Sequence, residues 1–118
     1  MRENEARDKS LAFAKRVVFA YQYLCNEKKE FVLSKQFLRS GTSIGANIAE
    51  AQYGSSRKDF LNKLYIALKE CAETLYWLEL LASCGYISQS EYESLFHDCD
   101  ELRRILSSST KSTRDTVL

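Results

Sequence analysis

The sequence predicts an all-α fold, an antiparallel up-down-up-down four-helix bundle, and three observations predict it. Apolar residues recur at alternating steps of three and four in four separate segments. The 118 residues contain no proline, so nothing interrupts a long helical run. The links between the segments are short and polar, which turns consecutive helices antiparallel. No segment shows the period-two alternation of a half-buried strand. Each helix alone would expose its apolar stripe, so the four must pack together.

The first helix is expected over residues 8–25, with Asp8 as N-cap and Leu11, Ala14, Val18, Tyr21 and Cys25 as its core face. The polar run Asn26-Glu27-Lys28-Lys29-Glu30 ends it. The second runs over residues 34–52 with Phe37, Gly41, Ile44, Ile48 and Ala51 inward, and Gly54 marks its exit. The third has the clearest stripe: Leu61, Leu64, Leu68, Cys71, Leu75, Leu78 and Ala82. Ser56 and Asp59 open it as an S-x-x-D box, and Gly85 closes it. At about 28 residues it would span roughly 42 Å. The fourth is expected over residues 88–106, opened by Ser88 and Glu91, with Tyr92, Leu95, Cys99, Leu102 and Leu106 inward. This division makes residues 1–7 an N-terminal extension, 8–107 the bundle domain and 108–118 a polar, disordered tail.

Composition excludes several function classes. Hydrophobic residues make up 45% and charged residues 28%, a globular balance. The start MRENEARDKS has no apolar run of the kind a secretory leader needs, and no stretch approaches a membrane span. A soluble, cytoplasmic protein is therefore expected. The cysteines, Cys25, Cys71, Cys84 and Cys99, form no C-x-x-C pair, and His97 is the single histidine. That set suits neither zinc nor a catalytic dyad, so the cysteines read as reduced thiols filling apolar space. His97 adjoins Asp98, but neighbours on a helix do not face each other. No catalytic residue, cofactor or metal is expected.

Three features ask for more than a bundle. Gly41, Gly45 and Ala49 lie four apart and form a smooth ridge. A helical glycine costs about 1 kcal/mol against alanine, so another backbone should approach there, from the same chain or from another subunit. G-T-S-I-G lacks the lysine-serine ending and preceding strand of a phosphate loop. Tyr76 and Trp77 point about 100° apart on the third helix, and with Leu80 and Leu81 they make it apolar around much of its girth. Either one aromatic is exposed or subunits associate there.

Charge is the third feature. Residues 1–69 hold 13 Lys/Arg and 7 Asp/Glu, a net +6, while residues 70–118 hold 4 and 9, a net −5. Lys35, Arg39, Arg57 and Lys58 are candidate contacts for nucleic acid or another anion. The alternative is local pairing of Glu50 with Arg57 or Lys58 across the turn.

The run Lys35-Gln36-Phe37-Leu38-Arg39-Ser40-Gly41-Thr42-Ser43-Ile44-Gly45-Ala46-Asn47-Ile48-Ala49-Glu50-Ala51 carries a family resemblance. So do Ser56-Arg57-Lys58-Asp59-Phe60, Ile66-Ala67-Leu68-Lys69-Glu70, Glu73-Thr74 and Tyr76-Trp77-Leu78-Glu79-Leu80-Leu81. Together they resemble the four helix bundle protein family, known from proteins encoded in intervening sequences of bacterial 23S ribosomal RNA genes. The resemblance spans residues 8–106. It implies a homopentameric ring of antiparallel bundles without enzymatic activity. It also implies kinship with the accessory protein of diversity-generating retroelements, a basic pentamer that joins a reverse transcriptase and binds nucleic acid. The net charge of +1 departs from that basic relative. The expected function is a homo-oligomeric scaffold for RNA, DNA or a nucleic-acid enzyme. The alternative is a protein–protein adaptor that touches no nucleic acid.

One outcome follows from the residue inventory alone. Chelator treatment should leave helicity and melting temperature unchanged, and elemental analysis should find no stoichiometric zinc.

Overall fold

The computed structural model describes residues 3–117, with side chains over 5–115. Met1, Arg2 and Leu118, part of the expected extension and tail, lie outside the described residues. Four helices follow one another: α1 Glu3–Asn26, α2 Leu33–Ala51, α3 Arg57–Ser83 and α4 Gln89–Val117. There is no strand among the described residues.

Contacts between numbered residues establish the antiparallel order. Val17 of α1 meets Gly41 of α2, and Ser10 meets Gly45. Arg39 of α2 reaches Glu70 and Glu73 of α3, while Lys63 reaches back to Glu50. Cys99 of α4 lies against the Cys71 carbonyl of α3. Lys9 pairs with Glu101, and Arg16 with Asp98, across α1 and α4. Each helix touches its two neighbours, and the diagonals do not meet. The bundle measures 47 × 21 × 20 Å, and its thinnest seam runs between α1 and α4.

The expected inward faces of α2 and α4 are the observed ones, with Phe37, Gly41, Ile44, Ile48 and Ala51 buried on α2 and Leu95, Cys99, Leu102 and Leu106 on α4. In α3 the face turns by about one residue. Leu64, Ala67, Cys71, Thr74, Leu78 and Leu81 are buried, and Leu61, Leu68, Leu75 and Ala82 flank them half-buried. Thr74 is tolerated at the centre because its hydroxyl donates to the Glu70 carbonyl at 2.7 Å and lies in hydrogen-bond contact with the Ser40 hydroxyl at 2.9 Å.

Helix α1 departs most from expectation. Its core face is Ala6, Ser10, Phe13, Val17 and Leu24, whereas Leu11 and Val18 are exposed. Two stripes on this helix keep the three-four rhythm, so periodicity alone does not choose between them. The glycine ridge chooses. A Cβ on Gly41 would lie 2.8 Å from both γ carbons of Val17, and one on Gly45 would lie 3.1 Å from Ser10 Oγ. Glycine at these two positions lets α1 sink against α2 only when Val17 and Ser10 face inward.

The helix ends also differ. α1 begins at Glu3, so Asp8 lies within the helix rather than at its cap. α4 continues through the expected tail to Val117, because Ser109 and Thr113 prolong the buried Leu102–Leu106 stripe at the same spacing. Ser56 Oγ accepts from Asp59 N at 3.1 Å, and the Asp59 carboxylate turns back to the Ser55 N–H at 3.2 Å. Ser88 Oγ accepts from Glu91 N at 3.2 Å, and Gly85 takes the left-handed φ of +81° that ends α3.

The α1–α2 turn holds a device that reads as an ordinary polar stop in the sequence. Lys29 adopts φ +55°, in the left-handed region. Glu30 is thereby buried, and its carboxylate accepts from the N–H groups of Val32 (3.2 Å), Leu33 (3.0 Å) and Ser34 (2.7 Å). It satisfies the free donors of the first turn of α2 and complements the helix dipole. Burial alone would push this carboxyl up; the hydrogen bonds from Ser34, Leu33 and Val32 outweigh it and hold it below the usual carboxylate value.

Two outcomes follow. Gly41→Ala should lower stability by about 1–3 kcal/mol in urea titrations, because stiff, branched Val17 cannot yield. Gly45→Ala should change it by less than about 1 kcal/mol, since the Ser10 hydroxyl can rotate and helix propensity improves. For Glu30 the folded pKa lies below the unfolded one. Its stabilisation is therefore complete above the ordinary carboxylate range and disappears as pH falls through the depressed value. Glu30→Gln should cost about 1–3 kcal/mol at pH 7, and the gap to the parent should close below about pH 4.

Candidate functional site

Charge is sorted along the bundle by the way α3 folds back on α4. Residues 57–69 of α3 carry Arg57, Lys58, Lys63 and Lys69 against Asp59 alone. Residues 70–83 carry Glu70, Glu73 and Glu79 and no cation. In α4 the order is reversed. Residues 89–101 carry Glu91, Glu93, Asp98, Asp100 and Glu101 without Lys or Arg, and residues 103–115 carry Arg103, Arg104, Lys111 and Arg114 against Asp115. Because Cys71 lies against Cys99, the two basic halves run side by side at the α2–α3 turn and the two acidic halves at the α3–α4 turn.

The four expected anion contacts are divided by this arrangement. Arg57 and Lys58 stand at the basic end, Arg57 stacked 5.2 Å over the Phe60 ring and Lys58 exposed without an ion pair among the described residues. Lys35 and Arg39 lie near the other end, separated from Arg57 by roughly 20 Å or more along the helices. Arg39 is committed to Glu70 at 3.0 Å and to Glu73. Its guanidinium, helped by the Trp77 indole N–H at 2.9 Å, holds the Glu73 carboxyl below its usual value. Glu50 pairs with Lys63 at 2.8 Å, not with Arg57 or Lys58. Lys63 lies six residues further on, one and a half turns into α3, where its side chain points back at α2.

Gly41 and Gly45 serve packing within the chain, and half-buried Ala49 lines a groove with Leu11, Ala14 and Ala46. Tyr76 is exposed and edge-on to Trp77, their ring centres 5.2 Å apart, and Trp77 packs partly against the core. Cys71 and Cys99 are buried and Cys25 is half-buried, but Cys84 is exposed in the α3–α4 turn. The hydrogen bond between Cys71 and Cys99, with burial, pushes the Cys99 thiol up, which makes it unreactive. His97 is exposed, and Asp98 beside it pairs with Arg16 instead. Among the described residues no cluster of His, Cys, Asp and Glu could hold a metal, and no helix is long and apolar enough to cross a membrane.

Sequence reasoning missed a group of exposed apolar side chains. It lies on α1, where Leu11, Val18, Phe19 and Tyr23 face outward, and on the α1–α2 turn, where Phe31 and Val32 do. The second stripe of α1 signals Leu11 and Val18, whereas Phe19 and Tyr23 lie about 100° further round, on neither stripe. Tyr53, 86% exposed in the α2–α3 turn, was also passed over. It edges a groove of about 420 Å³ with Ser55, Asn62 and Lys63 at the basic end.

Comparison with known proteins follows the same outline. A family model described as 23S rRNA-intervening sequence protein matches residues 2–108. A 1.70 Å crystal structure of a protein with unknown function from the S23 ribosomal protein family of Bacteroides thetaiotaomicron VPI-5482 is 58% identical. It covers 94% of this chain and 99% of its own, with a TM-score of 0.92. Among curated proteins none matches. Neither comparison names a catalytic activity.

Proposed function

Starting from the fact that the chain belongs to the 23S rRNA-intervening sequence protein family, we propose that it is a non-enzymatic, homo-oligomeric scaffold that offers RNA or DNA a basic rim. The observation that carries the reading is the outward apolar face of α1. A small monomer seldom leaves so many large apolar side chains of one helix in water. The family resemblance implies a ring of five copies. The expected seam on α3 has weaker support, because Trp77 is half-buried and tied to Glu73, leaving Tyr76 as the exposed aromatic of that pair.

The nucleic-acid part rests on the sorted charge. A net of only +1 is no obstacle when the carboxylates of α3 and α4, apart from Asp59 and Asp115, gather at the end away from Arg57 and Lys58. Several copies in register would repeat those cations around one rim, and weak phosphate contacts would then act together. The acidic end favours a second reading, an adaptor that binds a cationic protein and no nucleic acid.

Light scattering on a sizing column should give about five times the 13.6 kDa chain mass; a monomer at micromolar concentration would sink the scaffold reading. Anisotropy titrations with single-stranded DNA and structured RNA should show salt-dependent binding. Arg57→Gln with Lys58→Gln should weaken it roughly tenfold or more, since each lost phosphate contact costs affinity, while Lys35→Gln with Arg39→Gln should leave it nearly unchanged. No binding of the parent even at low salt would favour the adaptor.

A further inference from the structure

The apolar surface divides into a projection and a groove, both at the α1–α2 turn end of the bundle. The projection is Phe31 and Val32, 52% and 71% exposed. They are not loosely held. Three consecutive N–H groups, those of Val32, Leu33 and Ser34, are fixed by the buried Glu30 carboxylate. Ser34 Oγ donates to the Glu30 carbonyl at 2.7 Å, and Glu30 N donates to the Leu24 carbonyl at 3.0 Å. Lys29 sits at φ +55°, a conformation that costs a non-glycine residue about 1 kcal/mol or more. This turn spends strain and a buried charge on holding two large apolar side chains in water. Lys29 stands beside them, while Lys28 lies over the Tyr23 ring of its own chain, 6.0 Å from the ring centre.

The groove is the thin seam between α1 and α4. It has a volume of about 410 Å³ and is lined by Phe19, Ala20, Tyr23 and Leu95, with Arg16 and Glu91 at its rim. Phe19 is 67% exposed. Arg16 is already bound to Asp98 at 2.7 Å and to Ser94, whereas Glu91 and nearby Glu93 make no ion pair among the described residues. The groove therefore presents an apolar floor with free carboxylates beside it. Its complement is an apolar pair beside a lysine, which the α1–α2 turn of this chain carries in Phe31, Val32 and Lys29.

We propose that the Phe31–Val32 projection of one copy seats in the Phe19–Tyr23–Leu95 groove of the next, with Lys29 facing Glu91 and Glu93. The inference rests on the homo-oligomeric reading above and specifies its interface. The contact is heterologous: each copy gives a projection on one side and a groove on another, so copies add head to tail. Projection and groove sit at the same end of the long axis, so neighbours join without a stagger along it. Such a contact closes into a ring with parallel bundle axes. A pre-held projection also loses little conformational entropy on docking.

The test is a complementation by mass. Phe31→Asp with Val32→Asp blunts the projection, and Phe19→Asp spoils the groove. All three positions are exposed, so circular dichroism should show parental helicity; Phe31→Gln with Val32→Gln replaces the first variant if it does not. Each variant alone should run as a monomer under conditions where the parent assembles. An equimolar mixture should form a species of twice the 13.6 kDa chain mass, because one intact projection then meets one intact groove. A mixture that stays monomeric overturns the proposal. So does either variant assembling like the parent, an outcome that leaves the homo-oligomeric reading standing. A monomeric parent overturns both.

Discussion

The close approach of α1 to α2 over Gly41 governs the rest of this molecule. Val17 fits where a side chain on α2 would otherwise stand, 2.8 Å from the missing Cβ. That fit fixes the rotation of α1 about its own axis. Phe13, Val17 and Leu24 are turned into the core, and Leu11, Val18 and Phe19 are turned out. A helix with two apolar stripes has to leave one of them facing away from its own bundle. The glycines decide which.

The second organising constraint is electrostatic. α3 and α4 each change sign of charge near their middle, and the antiparallel turn between them aligns like with like. Placing like charges side by side costs little at a solvated surface, where salt screens them. The bundle therefore carries charge of opposite sign at its two ends. In the proposed ring, one rim would collect the cations of Arg57 and Lys58, and the other the carboxylates proposed to receive Lys29.

Much of the fold was legible in the sequence, and the exceptions have physical reasons. The faces of α2 and α4, the Ser56 and Ser88 caps and the Gly85 stop are local, and local rules read them. The face of α1 is not local, because it depends on a glycine ridge two dozen residues away. Glu30 looks like one more polar residue in a stop signal, and only the left-handed Lys29 turns its carboxylate under the start of α2. The polar tail from Ser107 onward forms helix because Ser109 and Thr113 are small enough to be buried on the continuing stripe. The candidate contacts fared unevenly. Arg57 and Lys58 stay together, while Arg39 is taken up by Glu70 and Glu73, partners more than thirty residues distant that composition cannot pair.

The central claim is that Phe19 and Tyr23 of α1, rather than the aromatics of α3, meet the neighbouring copy. Site-specific photocrosslinking measures this directly. A photoreactive phenylalanine analogue is placed at position 19 in one sample and at position 76 in another, and adducts are resolved by mass. The account predicts covalent dimers from position 19, with the crosslinked peptide containing Phe31 or Val32, and none above background from position 76. Dimers from position 76 with none from position 19 would contradict it.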